Sequence, residues 1–324
     1  MTARQKRAKD GFDRRAIPPE ALETRWQTAD GASLRRIDWL IPQGATRGSI
    51  LFMPGRGDAY EKYLETLDHW HRCGWRVTAA DWRGQAGSGR LGRDEVTGHV
   101  DDFSIWVDDL SEFWQQWRQS VPGPHVIIGH SMGGHLVLRS LGEGKVQPDA
   151  AILIAPMLDL IRHGVPLLVM HGLARLMASL GDARRPAWKW GEKPGALPAN
   201  RIDLLTSDVE RYADEVWWRK TRPEIAMGPG SWGWVAAAYA SIRCLYQPGF
   251  LEGVNLPVLL LSSDSDKLVS PAAIEKASLR LPRGELLRFG REARHELLRE
   301  ADAIRDRALA GIDDFLGRVV RPRD

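Results

Sequence analysis

The apolar positions of this chain alternate between two periods. Residues 34–40, 48–53, 75–82, 125–129 and 150–154 form short apolar runs that read as strands; the inner ones are apolar at most positions, as strands covered on both faces are. Between them, residues 60–73 read as a helix. From 101 to 117 the apolar residues are Phe103, Trp106, Val107, Leu110, Phe113, Trp114 and Trp117, a stripe at helical spacing. Residues 131–142 continue a helical pattern directly from the strand at 125–129. Strands alternating with helices predict an α/β fold, a mostly parallel central sheet with helices on both faces.

The rhythm breaks after Pro156 and resumes at residues 256–261, Leu-Pro-Val-Leu-Leu-Leu, a buried-strand signal. A helix at 271–281, a strand at 285–289 and a helix at 301–319 follow. The expected organisation is a polar arm at 1–20, a first core part at 21–156, an inserted helical cap at 157–250 and a second core part at 251–324. Within the cap, residues 165–180 are apolar around most of a helix. His171 and Arg175 interrupt the run, so it does not read as a membrane span. Leu173 and Met177 are its candidate substrate-binding residues, as part of a pocket wall that also rests on a membrane surface; the alternative is a wholly buried cap helix.

Composition narrows the function classes. Of 324 residues, 43% are hydrophobic and 27% charged, which allows a sizeable core and excludes global disorder. A net charge of +3 gives no nucleic-acid footprint. Cys73 and Cys244 make no disulfide framework and suit a reducing compartment, although a single bridge stays open. The first 19 residues are basic without an apolar run, so no signal peptide is expected. The localisation expected is cytoplasmic, with peripheral contact at the inner face of a membrane. Arg4, Lys6, Arg7, Lys9, Arg14 and Arg15 would attract anionic lipid. Fourteen tryptophans suit buried cores, ligand pockets or membrane interfaces.

The chemistry centres on Gly129-His130-Ser131-Met132-Gly133, set between the strand and the helix as a nucleophile elbow is. Ser131 must take a strained backbone, with Gly129 and Gly133 letting strand and helix approach. A serine hydroxyl needs a base, and the base a carboxylate, in the order nucleophile, acid, histidine. Among nine histidines, only His295 lies beyond the late strands. Two acids follow the strand at 257–262, Asp264 and Asp266. Asp266 is preferred because it lies further past the strand end and Leu268-Val269 can anchor its loop. His130 reads as structural, and His69 and His71 point to different sides of a helix rather than at one metal. The glycine-rich stretch 84–89 matches no dinucleotide or phosphate-loop fingerprint. Neither cofactor nor metal is called for. Oxyanion donors are expected at the backbone of Met132 and in the loop after the strand at 48–53.

With these pieces the chain resembles the α/β-hydrolase superfamily, in its lysophospholipase and monoacylglycerol-lipase-like branch, the serine aminopeptidase S33 group. The resemblance spans about residues 48–316 and is weakest in the cap. It rests on Pro54-Gly55-Arg56-Gly57 with Tyr60 and Tyr63, Asp81-Trp82-Arg83-Gly84-Gln85, Gly98-His99-Val100-Asp101-Asp102-Phe103, the elbow, Ser265-Asp266-Lys267-Leu268 and Ala293-Arg294-His295-Glu296. It implies an α/β-hydrolase fold with a cap, nucleophile Ser131, acid Asp266, base His295, and oxyanion donors at Arg56 and Met132. Two departures stand out: Pro54-Gly55 where the family has His-Gly, and Gly84-Gln85-Ala86 where it has Gly-Gln-Gly. The resemblance implies a serine esterase on monoacyl lipids. An aminopeptidase using Glu210, Asp214 and Glu215 to hold an amine, a carbon–carbon bond hydrolase, and a non-catalytic binding protein remain as alternatives. The expected partner is a small-molecule or lipid ester substrate, not nucleic acid.

Overall fold

The computed structural model describes residues 12–40, 46–162, 164–188 and 201–320. Eight strands form one sheet: β1 (Ala21–Gln27), β2 (Ser33–Trp39), β3 (Ser49–Met53), β4 (Arg76–Ala80), β5 (His125–His130), β6 (Ala150–Ile154), β7 (Val258–Ser263) and β8 (Gly284–Phe289). Their spatial order is β1-β2-β4-β3-β5-β6-β7-β8. The pairs β1–β2 and β2–β4 are antiparallel, and every pairing from β4 to β8 is parallel.

The period-2 alternation of the inner strands divides the core between two faces. Leu51 and Met53 of β3 pack with Ile127, Leu153 and Leu260 on one side. Ile50 and Phe52 pack with Val126, Ile128, Ile152 and Leu261 on the other. Helices α1 (Leu64–Arg72) and α9 (Asp302–Val319) cover the second face; α2 (Ser104–Ser120), α3 (Met132–Gly142) and α8 (Pro271–Arg280) cover the first. Helix α2 buries the expected stripe, Trp106, Val107, Leu110, Phe113, Trp114 and Trp117. Half of the fourteen tryptophans are fully buried core: Trp39, Trp70, Trp75, Trp82, Trp106, Trp114 and Trp117.

Between β6 and β7 lie α4 (Leu167–Ser179), α5 (Ile202–Leu205), α6 (Val209–Thr221) and α7 (Trp232–Leu245). Residues 228–231 stitch this insertion to the core. Gly228 N–H donates to Val96 O at 2.8 Å, Gly98 N–H to Pro229 O at 2.9 Å, and Ser231 N–H to Gly98 O at 2.9 Å. Of the basic arm, Arg4, Lys6, Arg7 and Lys9 lie outside the described residues. Arg14 and Arg15 are engaged by the protein, at 2.7 and 2.6 Å from the Asp214 carboxylate. Cys73 and Cys244 are both free thiols. Among the described residues, no helix is long and apolar enough to cross a membrane.

Candidate active site

Strand β5 ends at His130 and α3 begins at Met132, so Ser131 alone makes the turn. Its backbone sits at φ 51° and ψ −116°, a left-handed conformation that an L-residue holds only under constraint. Three hydrogen bonds supply the constraint. Ser131 N–H donates to Ile154 O at 2.9 Å, and Ser131 O accepts from His135 and Met157 N–H, each at 3.0 Å. The flanking glycines are required by close approach. A Cβ on Gly133 would fall 2.4 Å from the Met53 and Pro54 carbonyl oxygens, and one on Gly129 would fall 2.7 Å from Gly133.

His295, in the loop after β8, reaches over this turn. Its Nε2 is 2.9 Å from Ser131 Oγ, and its Nδ1 is 2.6 Å from Asp266 Oδ2. The other oxygen of Asp266 accepts Leu268 N–H at 2.8 Å and Val269 N–H at 3.0 Å, so the residues behind the acid anchor it. Asp264 points elsewhere and accepts from Arg288 Nε at 2.7 Å. His295 and Asp266 are buried, whereas Ser131 is partly open to the cavity. Burial pulls the His295 pKa down, but the Asp266 carboxylate, with Glu296 and Asp58 beyond it, outweighs burial and holds it above the ordinary value. Burial raises the Asp266 pKa, and His295 with the two backbone N–H groups more than reverses that.

The loop after β3 carries Arg56 beside the elbow, and Gln85 fastens it. Gly57 N–H donates to Gln85 Oε1 at 2.8 Å, and Trp82 Nε1 donates to Pro54 O at 2.8 Å. The Gln85 amide also lies 3.8 Å from the Met132 sulfur. One side chain thus touches Met132 and the residue that follows Arg56, the two residues expected to offer oxyanion donors being Met132 and Arg56. The glycine-rich stretch 84–89 marked this loop as one that turns near the site, but not its bracing role.

The family model described as serine aminopeptidase, S33, matches residues 44–302. Lysophospholipase L2 of Escherichia coli (strain K12) is 33% identical over 290 residues, covering 84% of this chain and 81% of that protein. A monoacylglycerol lipase of Mycolicibacterium smegmatis is 24% identical over 236 residues, covering 72% of this chain and 76% of that protein. Among solved structures, a soluble variant of monoglyceride lipase from Saccharomyces cerevisiae, in complex with a substrate analogue, superposes with a TM-score of 0.74. The identity there is 20%, over 96% of this chain and 98% of that one. The chain belongs to this α/β-hydrolase family. It is a serine hydrolase.

The hydrolase opens its serine into a cavity of about 1040 Å³ between core and insertion. Met157, Leu160, Ile161, Met170, Leu204 and Val235 supply apolar wall. Leu173 and Met177, expected there, do not line it, and this corrects the sequence reading. Helix α4 packs on α7 through Ala174 and Met170 against Tyr239 and Ile242. Leu173 is turned about 60° from Met170 at 100° per residue, which exposes it, and Met177 lies two turns further along the axis. The expected surplus apolar face is present: Leu168, Val169, Leu173 and Leu176 are all exposed.

Beneath the triad lies a buried ionic cluster that no local motif announces. Lys62 Nζ is 2.5 Å from Asp58, 2.6 Å from Glu296 and 3.2 Å from Glu215. Arg299 pairs with Glu296, and with Glu215 at 3.1 Å. His130 is structural, as expected. Its Nδ1 lies 2.9 Å from Tyr63 Oη and 3.2 Å from Asp58, and its ring stacks at 5.0 Å on His295.

Proposed function

We propose that this serine hydrolase cleaves single-chain lipid esters, lysophospholipids or monoacylglycerols, through an acyl-enzyme on Ser131. His295 Nε2 takes the Ser131 proton as Oγ attacks the ester carbonyl, and later passes it to the departing glycerol oxygen. Asp266 fixes the tautomer that presents Nε2 to Ser131 and stabilises the imidazolium. The backbone N–H groups of Arg56 and Met132 receive the oxyanion. Water then enters by the same route and releases the fatty acid. Residues 157–250 act as the cap that shapes the acyl pocket, on a core made of 21–156 and 251–324.

The observation that carries this reading is the place of the reactive serine, in the wall of a large and mainly apolar cavity rather than in a polar cleft. The names of the relatives agree with it. The aminopeptidase alternative lacks its anchor. Glu215 is neutralised by Lys62, Arg219 and Arg299, Asp214 by Arg14 and Arg15, and neither they nor Glu210 line the cavity. The exposed face of α4 is the surface we assign to peripheral membrane contact.

A substrate panel tests the proposal: palmitoyl lysophospholipid, monopalmitoylglycerol, tripalmitoylglycerol and an aminoacyl anilide at equal concentration. The single-chain esters should turn over at least 100-fold faster than the other two. Preference for the anilide, or for the three-chain lipid, contradicts it.

A further inference from the structure

The cavity that holds Ser131 also holds two arginines that form no ion pair among the described residues. Arg56 and Arg201 both line it. The carboxylates in the same wall are already committed: Asp58 and Glu296 to Lys62, and Asp266 to His295. Arg56 is fixed in place without being neutralised. Its Nη2 donates to Gly228 O at 2.8 Å, and its guanidinium lies 5.0 Å from the Trp234 ring and 5.4 Å from the Trp188 ring. Its Nε is buried without a hydrogen-bond partner, and so is Nε of Arg201. Burial, then the charges of Arg201 and Arg219, draws the Arg56 pKa down to about 9, so the group is strained as a cation yet remains one at neutral pH. A protein accepts two unpaired guanidinium groups in an apolar cavity at a cost in stability, and an anion placed between them removes that cost. Guanidinium forks match phosphate oxygens. Arg56 is also the residue proposed above to meet the oxyanion with its backbone, which would put its side chain a few bonds from the scissile ester. A lysophospholipid carries its phosphate at such a separation from the ester, and a monoacylglycerol carries only hydroxyls there.

We infer that Arg56 and Arg201 form a phosphate subsite that selects phosphate-bearing single-chain lipids over neutral ones. The inference rests on the lipid-ester reading above, and ether lipids separate the two because their binding needs no catalysis. Affinities of the full-length protein for 1-O-hexadecyl-glycero-3-phosphocholine and for 1-O-hexadecylglycerol would be measured below their critical micelle concentrations. The phosphate-bearing lipid should bind at least tenfold more tightly. Arg201→Gln and Arg56→Gln should each reduce that ratio several-fold, and Arg56→Lys should restore part of it. A ratio near one in the wild-type protein overturns the subsite even if both ester lipids are hydrolysed. A ratio unchanged in both Gln variants overturns the assignment to these arginines. A tenfold ratio in a protein that hydrolyses neither ester lipid supports the subsite and sinks the ester reading instead. Inorganic phosphate forms the last arm. If it binds through both arginines while the two lipids bind equally, the site takes a free anion, and the headgroup assignment is overturned.

Discussion

At the residue scale, Ser131 shows how local sequence dictates a reactive position. The strand leaves the sheet and the helix begins one residue later, which only a serine at positive φ with a glycine two residues to either side allows. Gly133→Ala should therefore abolish activity or folding, since its methyl would meet two backbone oxygens at 2.4 Å; circular dichroism and ester turnover check this. Asp266→Asn should lower turnover by about 10⁴, and Asp264→Asn should change it little, because only Asp266 touches His295. The pH profile follows from the raised His295 pKa. Protonated His295 cannot accept the serine proton, so kcat/KM should rise with pH through an inflection above about 6.5, the ordinary histidine value. In Asp266→Asn the remaining activity should show that inflection at lower pH, because burial then acts unopposed by the carboxylate. An unmoved inflection would assign the titration to another group. The meeting of Ser131, His295 and Asp266 was legible in the sequence because the elbow is contiguous and the order of its expected partners is constrained. The Arg56 side chain was not, because its unpaired state depends on Gly228, Trp188 and Trp234, more than 130 positions away.

At the scale of elements, strong periodicity was legible and weak periodicity was not. Strands β3, β5, β6 and β7 each carry a run of three to five consecutive apolar residues, and all four were found within a residue or two. Strand β1, Ala-Leu-Glu-Thr-Arg-Trp-Gln, was missed: it is an edge strand with mostly half-exposed side chains and so carries little pattern. Helix α1 begins at Leu64, later than expected, because 60–63 form a 3₁₀ turn instead. In α4 the amount of apolar surface was legible but its orientation was not, since rotation is set by packing on α7 rather than by the helix itself. That geometry separates two roles. The double variant Leu173→Glu with Leu176→Glu should weaken flotation with anionic liposomes by about tenfold while leaving hydrolysis of a soluble acetate ester intact. Met170→Ala should instead reduce turnover of long-chain esters, because Met170 is in the cavity wall. Equal loss on short and long esters in either variant would indicate a damaged fold.

At the scale of the whole molecule, the buried ions join segments that are far apart in sequence. Asp58 and Lys62 come from the start of the core, Glu215 from α6 in the insertion, and Glu296 and Arg299 from the loop that carries His295. Lys62→Met would leave three carboxylates short of one cation beside the base. It should cost about 3–5 kcal/mol of stability, read from urea unfolding, and lower activity as well. Asp58, Glu215 and Glu296 all ionise more readily in the folded protein than the ordinary carboxylate: burial opposes this, and the surrounding cations prevail. Their stabilisation is thus complete above the ordinary carboxylate range and is lost as pH falls below that range through their lowered folded values, so unfolding should set in on acidification. The same architecture concentrates every claim about chemistry on one atom, Ser131 Oγ, and mass spectrometry of the protein after brief exposure to a palmitoyl ester tests it most directly. An acyl adduct should appear on the peptide containing Ser131 and disappear, together with at least 10³-fold of the turnover, in Ser131→Ala. An adduct on another residue, or a Ser131→Ala protein that still turns over lipid ester, would contradict the account.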